Sequence, residues 1–230
     1  MKFDQIVRLP VTPQQVKEAI VQARRHRFID NLRQRHPNVA FDSKLRGYVG
    51  EIALARWLLA NGIEVDSRNE HRGSYRLDID FRYRGLSLEL KTSLVPDADG
   101  TMQRSFQKRD LKLIKRSEHI EDLEGDVHIQ IYFDSLTRRK DEWLRRQQVD
   151  LNSNDADYLY EALCGRAYLD RTYLVGWMDK SSMIETIYTL PEDERTWGHA
   201  RRKFWKCPLR HAYSPRSLPR FLGFYKERLF

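Results

Sequence analysis

Cysteine is scarce: Cys164 and Cys207 are the only two in 230 residues, and they form no Cys-x-x-Cys pair. That excludes a disulfide scaffold and a zinc-finger array. No apolar run approaches the roughly 20 residues of a membrane span. Met1-Lys2-Phe3-Asp4-Gln5 opens without the apolar stretch of a secretion signal. There is no Gly-rich phosphate loop and no Gly-x-Ser-x-Gly elbow, which sets aside a nucleotide cofactor and a serine hydrolase. His26, His36, His71, His119, His128, His199 and His211 show no metal-binding spacing, so none is given a role beyond surface or core. Internal repeats and low-complexity tracts are also missing. What is left is the expectation of a soluble, reduced, cytoplasmic chain with no membrane association. Its 40% hydrophobic and 11% aromatic content suffices for a packed core.

The charge is segregated. The chain as a whole carries 41 Lys+Arg against 33 Asp+Glu, a net +8. Residues 195–230 hold ten bases and one acid (Glu227), a net +9; residues 1–36 hold eight bases and three acids, +5; the middle is −6. Basic ends suit a polyanion, because each neutralised phosphate releases counterions. Solubilising charge is the plainer alternative.

Thr12-Pro13 predicts a helix start, with Val16, Ala19, Ile20 and Ala23 at helical spacing and Leu32 extending the pattern. Arg24, Arg25, Arg27, Arg33 and Arg35 load the rest of it, up to about Pro37. Asp42 or Ser43 is expected to cap a second helix ending at Asn61-Gly62, with Leu45, Val49, Ile52 and Leu59 along one side. Further expectations are a short strand over 63–66, a loop over 94–107, a helix near 110–117 and strands over 127–133 and 172–178. A helix over 155–164 and an edge strand over 184–190 complete the core. The tail from Glu192, with three prolines and eight aromatics, has no regular assignment. The order indicates an α/β architecture. Three segments follow: a basic N-terminal helical arm (1–40), a core (41–190) and a basic aromatic C-terminal extension (191–230) packed on it.

Residues 77–91 are the most informative. Leu77, Ile79, Phe81 and Tyr83 alternate with Asp78, Asp80, Arg82 and Arg84; after Gly85, Leu86, Leu88 and Leu90 alternate with Ser87, Glu89 and Lys91. This is a hairpin with two-residue periodicity on both arms. A two-residue turn at Arg84-Gly85 opposes Tyr83 to Leu86, Phe81 to Leu88 and Ile79 to Leu90. The polar face then sets Asp80 against Glu89 and Asp78 against Lys91. A three-residue turn would mix apolar and polar faces, so the pattern rejects it. Two carboxylates about 5 Å apart at Cβ repel unless neutralised. A divalent cation with oxygen ligands is the usual answer, and Mg²⁺ suits that donor set. Glu-x-Lys alone means little, and charge ladders on exposed sheets are common. The weight comes from the strands, the tight turn, the opposed acids and the lysine together. Gly47-x-x-Gly50-Glu51 lies in the preceding helix. Two helical glycines cost about 1 kcal/mol each relative to alanine, which close packing on the sheet would offset, carrying Glu51 toward the hairpin.

Gly-Glu on a leading helix, an aspartate opening a strand, a turn and then Glu-Leu-Lys-Thr resemble the PD-(D/E)xK nuclease superfamily, over about residues 43–93. The resemblance implies a restriction-endonuclease-like mixed central sheet flanked by helices. It assigns Mg²⁺, with Mn²⁺ as substitute, to Asp80, Glu89, Glu51 and the Leu90 carbonyl. It makes Glu51, Asp80, Glu89 and Lys91 the catalytic set, with Lys91 assisting the attacking water. Ile79-Asp80 replaces the family's Pro-Asp, and Asp78 is a rival for Asp80. The implied activity is Mg²⁺-dependent cleavage of double-stranded DNA, restriction-type, with a homodimer as the expected assembly for cutting both strands. A junction resolvase, a transposon- or repair-associated nuclease, an RNA or single-strand nuclease, and a non-catalytic nucleic-acid-binding protein are the alternatives. Arg82 and Arg84 flank the site; Arg24, Arg25, Arg27, Arg201, Arg202 and Lys203 would grip the nucleic acid. Trp197, Trp205 and Tyr213 could pack on sugars or bases, although anchoring the tail is the simpler role.

Overall fold

Helix starts in this chain are set by side chains that accept the first free amides. Thr12 and Gln15 cap each other reciprocally: Thr12 N–H donates to Gln15 Oε1 (2.6 Å) and Gln15 N–H to Thr12 Oγ1 (3.3 Å). Pro13 then opens α1 (Pro13–Arg25). A computed structural model describes residues 1–25, 35–67, 71–72, 75–76, 79–113, 119–134, 137–199 and 202–225. The expected continuation of α1 through Arg27, Leu32 and Arg33 lies outside them, and Arg35 is not helical.

α2 runs Pro37–Ala60, so it starts earlier than expected, with His36 as the cap and proline at the first position. Asp42 is not a cap. It is buried inside the helix, because Lys140, Arg46 and Tyr168 meet it there. The helix ends at Asn61-Gly62 as read; Leu45 and Val49 are buried, whereas Leu59 is exposed.

The strands are β1 (Val7–Leu9), β2 (Asp66–Ser67), β3 (His71–Arg72), β4 (Tyr75–Arg76), β5 (Phe81–Tyr83), β6 (Leu86–Leu94), β7 (Asp110–Lys112), β8 (Val127–Phe133), β9 (Thr172–Asp179), β10 (Thr196–His199) and β11 (Arg202–Pro208). The remaining helices are α3 (Met102–Ser105), α4 (Thr137–Arg146), α5 (Ala156–Ala162), α6 (Lys180–Thr189), α7 (Glu192–Arg195) and α8 (Leu218–Phe224). The main sheet has the order β1-β9-β8-β6-β5-β2; β6 and β8 are parallel and the other neighbours antiparallel. A second sheet, β10-β11-β7, lies beside it, and β3 pairs with β4. The architecture is mixed α/β with helices flanking a mixed sheet. Among the described residues, no helix is long and apolar enough to cross a membrane.

Two apolar layers cover the main sheet. On one face Leu88, Leu90, Ile129, Ile131 and Phe133 pack with Val16 and Ile20 of α1 and Leu45, Val49 and Leu54 of α2. On the other, Tyr132, Val175 and Met178 pack with Met102, Phe106, Leu111, Met183, Ile187 and Cys207. The N-terminal segment is therefore woven into the core: β1 edges the sheet, and Leu9, Val16 and Ile20 are fully buried.

Three expectations fail. Of the helix expected near 110–117, residues 110–112 form a strand, because β11 arrives from the tail and pairs with them, and 114–117 lie outside the described residues. Residues 184–190 belong to helix α6, not an edge strand; Asp179 caps it through the Ser182 N–H (2.9 Å), and Met183 and Ile187 face the core four residues apart. The tail is regular: it holds β10, β11 and α8. For residues 110–112 a partner distant in sequence overrides the local pattern.

Candidate active site

The β5–β6 hairpin has the register read from its pattern: Phe81 faces Leu88, Arg82 faces Ser87 and Tyr83 faces Leu86. Arg84 (φ 47°) and Gly85 (φ 85°) form the two-residue turn, whose geometry matches the strand twist. Glycine enters that region freely; arginine does so at a cost of about 1 kcal/mol.

Helix α2 decides which face is which. A Cβ on Gly50 would lie 2.6 Å from Thr92 Cγ2 and 3.6 Å from Leu90 Cδ2, so the helix backbone sits directly on that side of β6. Close packing thus explains Gly50. It does not explain Gly47, where a Cβ would meet nothing within 4 Å. By strand alternation Glu89 and Lys91 project from the opposite face. Glu51, on α2, belongs to the layer across the sheet from those two side chains.

Glu89 is 3% exposed. Its Oε1 lies 2.8 Å from Lys91 Nζ, and its Oε2 lies 3.0 Å from His128 Nδ1. His128 is its neighbour in the parallel ladder with β8. Burial alone would push the Glu89 carboxyl up; the charges of Lys91 and His128 outweigh it and hold the pKa down at about 2. Gly125 closes over the group: a Cβ there would be 3.0 Å from Glu89 Cβ. Glu89 is therefore a carboxylate kept ionised in a dry site.

Asp80 stands where the ladder ends. Its N–H donates to the Leu88 carbonyl (3.0 Å), and its Oδ2 accepts the Leu90 N–H (2.7 Å). The side chain thus turns into the plane of the sheet instead of standing directly across from Glu89. It reaches the backbone of the residue between Glu89 and Lys91. In an extended strand the carbonyl of a residue points to the same flank as its N–H, so the Leu90 carbonyl also faces the Asp80 side. Two carboxylates and a backbone carbonyl from three positions are hard oxygen donors of the class Mg²⁺ takes. The donor set fits such an ion, provided Lys91 or His128 yields one Glu89 oxygen. Among the described residues, no three His, Cys, Asp or Glu side chains already converge as a metal cluster.

Arg82 shares the Glu89 face two positions away, beside Ser87, and with Arg84, Glu64 and Asp66 lines a cleft of about 680 Å³ at the hairpin end. Arg24 is tied by its guanidinium to Asn152 and Asn154, and Arg25 is exposed at the end of α1, both in the layer across the sheet. Arg27, Arg201 and the rival Asp78 lie outside the described residues; of Arg202 and Lys203 the backbone is described, at the start of β11. The aromatics of the tail anchor it. Tyr213 bridges to Trp177, Trp197 stacks on Phe204 with Lys112 Nζ 4.5 Å above its ring, and Trp205 packs in the second apolar layer.

His128 is the residue that reading the sequence passes over. It is a core histidine, as a lone one usually is, but its core position is against Glu89. The signal existed in the alternation of Val127, Ile129, Ile131 and Phe133 with His128, Gln130 and Tyr132. Only the pairing of β8 with β6 turns that signal into a contact. Its Nε2 is buried and has no hydrogen-bond partner among the described residues. No protein-family model, curated protein or solved structure matches this chain.

Proposed function

We propose that this chain is a Mg²⁺-dependent DNA endonuclease on a PD-(D/E)xK-like, restriction-endonuclease-like scaffold. One observation carries the reading: a dry, ionised Glu89 carries Lys91 on the same face, while Asp80 grips the peptide between them. A bound divalent ion would supply charge stabilisation at the scissile phosphate and an acidified water. Asp80, Glu89 and the Leu90 carbonyl would hold it; Glu51 would have to reach around the sheet edge to contribute. Lys91, released from Glu89, orients the attacking water and balances charge that builds on the phosphate oxygens. The water attacks phosphorus, the 3′ oxygen departs, and a 5′ phosphate remains. Arg82 and Arg84, on the same hairpin, are positioned to meet the flanking backbone, and the basic ends supply the salt-sensitive grip.

The test is plasmid cleavage with Mg²⁺ or Mn²⁺, repeated with Lys91→Ala and in EDTA. Loss of cutting with DNA binding retained supports the assignment; undiminished cutting in EDTA sinks it. Panels of linear, branched and nicked DNA separate restriction-type cleavage from a junction resolvase or repair nuclease, and sedimentation at micromolar concentration tests the homodimer.

A second reading has its own support. Both Glu89 oxygens are engaged, by Lys91 and His128, so the cluster can equally serve as a buried polar lock in a non-catalytic nucleic-acid-binding protein. Calorimetric titration with Mn²⁺ discriminates: this reading expects no heat of binding.

A further inference from the structure

A second cationic feature lies on the other side of the sheet. β8 ends at Phe133, and α4 starts at Thr137. Arg139 and Trp143, four apart on α4, share one face of that helix. Together with Arg166 and Arg171 they line an open cleft of about 500 Å³, within the range that holds a small ligand. Among the described residues, no acidic side chain lines it. Glu89 pairs with His128 and Leu94 with Phe133, so the cleft lies at a level about five residues, roughly 16 Å, further along the strands. It is a separate place from the candidate active site.

The fold holds the cleft in shape. Lys140 forms its floor, with Nζ 2.7 Å from the buried Asp42 Oδ1 and 3.9 Å from the centre of the Tyr168 ring. Arg171 donates from Nη1 to the Asp134 carbonyl (3.0 Å). Cys164, at φ 54°, shapes the wall, and Gly165 next to it lies so close to Tyr160 that a Cβ would come within 2.4 Å of that ring. Among the described residues, neither Arg139 nor Arg166 forms an ion pair. Exposed guanidiniums without acidic partners, beside an exposed indole, combine what two different parts of a nucleotide need. Guanidinium forks match phosphate oxygens, and an indole face stacks on a base. A base within a duplex is already stacked and cannot enter a concave site.

We propose that this cleft binds an unpaired nucleic-acid strand, its phosphate on Arg139, Arg166 and Arg171 and a base against Trp143. The inference goes beyond the nuclease reading and does not rest on it, since it needs neither a metal nor Glu89. Cys164 lines the cleft and Cys207 is fully buried, so thiol modification reports occupancy without any cleavage. In EDTA, an eight-residue oligothymidylate is expected to slow the reaction of Cys164 with a disulfide reagent at least fivefold. Trp143→Ala should weaken its apparent affinity by about five- to a hundredfold, and Arg166→Ala should weaken it several-fold. Both positions are exposed, and thermal melting checks that the variants fold. Lys91→Ala should be protected like the native chain, so failure of the nuclease reading leaves this result intact. Equal protection by inorganic phosphate, polyglutamate or a blunt duplex at matched ionic strength overturns the proposal, as does full protection of a folded Trp143→Ala.

Discussion

Two buried carboxylates, Glu89 on β6 and Asp42 on α2, are neutralised in nearly the same way and left with different capacities. Asp42 is fully buried and meets three donors: Oδ1 takes the Tyr168 hydroxyl and Lys140, and Oδ2 takes Arg46 (3.1 Å). Burial would raise its pKa, but Lys140 and Arg46 hold it low. Its partners come from α2, α4 and the turn before β9, so it ties those elements together. Glu89 likewise meets two nitrogen groups, Lys91 and His128, but it has a second acid, Asp80, one strand away. Gly125 packs against Glu89, and among the described residues the His128 Nε2 has no hydrogen-bond partner. A fully buried cluster tied to three elements holds the structure together. A cluster with an adjacent donor set and a displaceable lysine can exchange a partner for a ligand.

The sharpest test of that difference is stability. Asp42→Asn leaves Lys140 uncompensated in the interior and should cost about 3–5 kcal/mol in urea unfolding. Glu89→Gln leaves Lys91, which is only partly buried, able to reach water, and should cost less, about 2–3 kcal/mol. Equal costs would erase the contrast. Under the nuclease reading, the functional ranking reverses. Glu89→Gln or Lys91→Ala should lower the cleavage rate by about 10²–10³-fold while retaining DNA binding, measured by gel shift in Ca²⁺.

Acid should expose the same contrast. The folded pKa of Glu89, about 2, lies below its ordinary 4.5. Its contribution is therefore complete above about pH 4.5 and lost as pH falls toward 2, on the order of 3 kcal/mol. Urea midpoints against pH should fall less steeply over that window in Glu89→Gln than in the native chain. A smaller effect separates the two helical glycines. Gly50→Ala should destabilise by about 1–3 kcal/mol and be relieved by Thr92→Ser, whereas Gly47→Ala should stabilise by up to about 1 kcal/mol. Thermal melts of the four proteins measure both.

Much of the site was legible because it is local. The hairpin register follows from Phe81, Tyr83, Leu88 and Leu90, since a one-residue slip would bury Glu89's face with the apolar one. The starts of α1 and α5 follow from Thr12 and from Asp155, which accepts two amides. Asp80 was legible as a residue near Glu89 but not as the acceptor of the Leu90 amide, because that depends on where β5 stops pairing.

The amino-acid pattern by itself determined the β5–β6 turn, the separation of Leu90 from Glu89 and Lys91 onto opposite faces, and the basic ends, because these depend on neighbours a few residues apart. Only the tertiary structure decided that His128 lies against Glu89, that α2 and Glu51 are across the sheet, and that Arg139, Arg166 and Arg171 surround Trp143. Those contacts join segments far apart in the chain. Their geometry comes from packing two apolar layers on one sheet, which no local periodicity encodes.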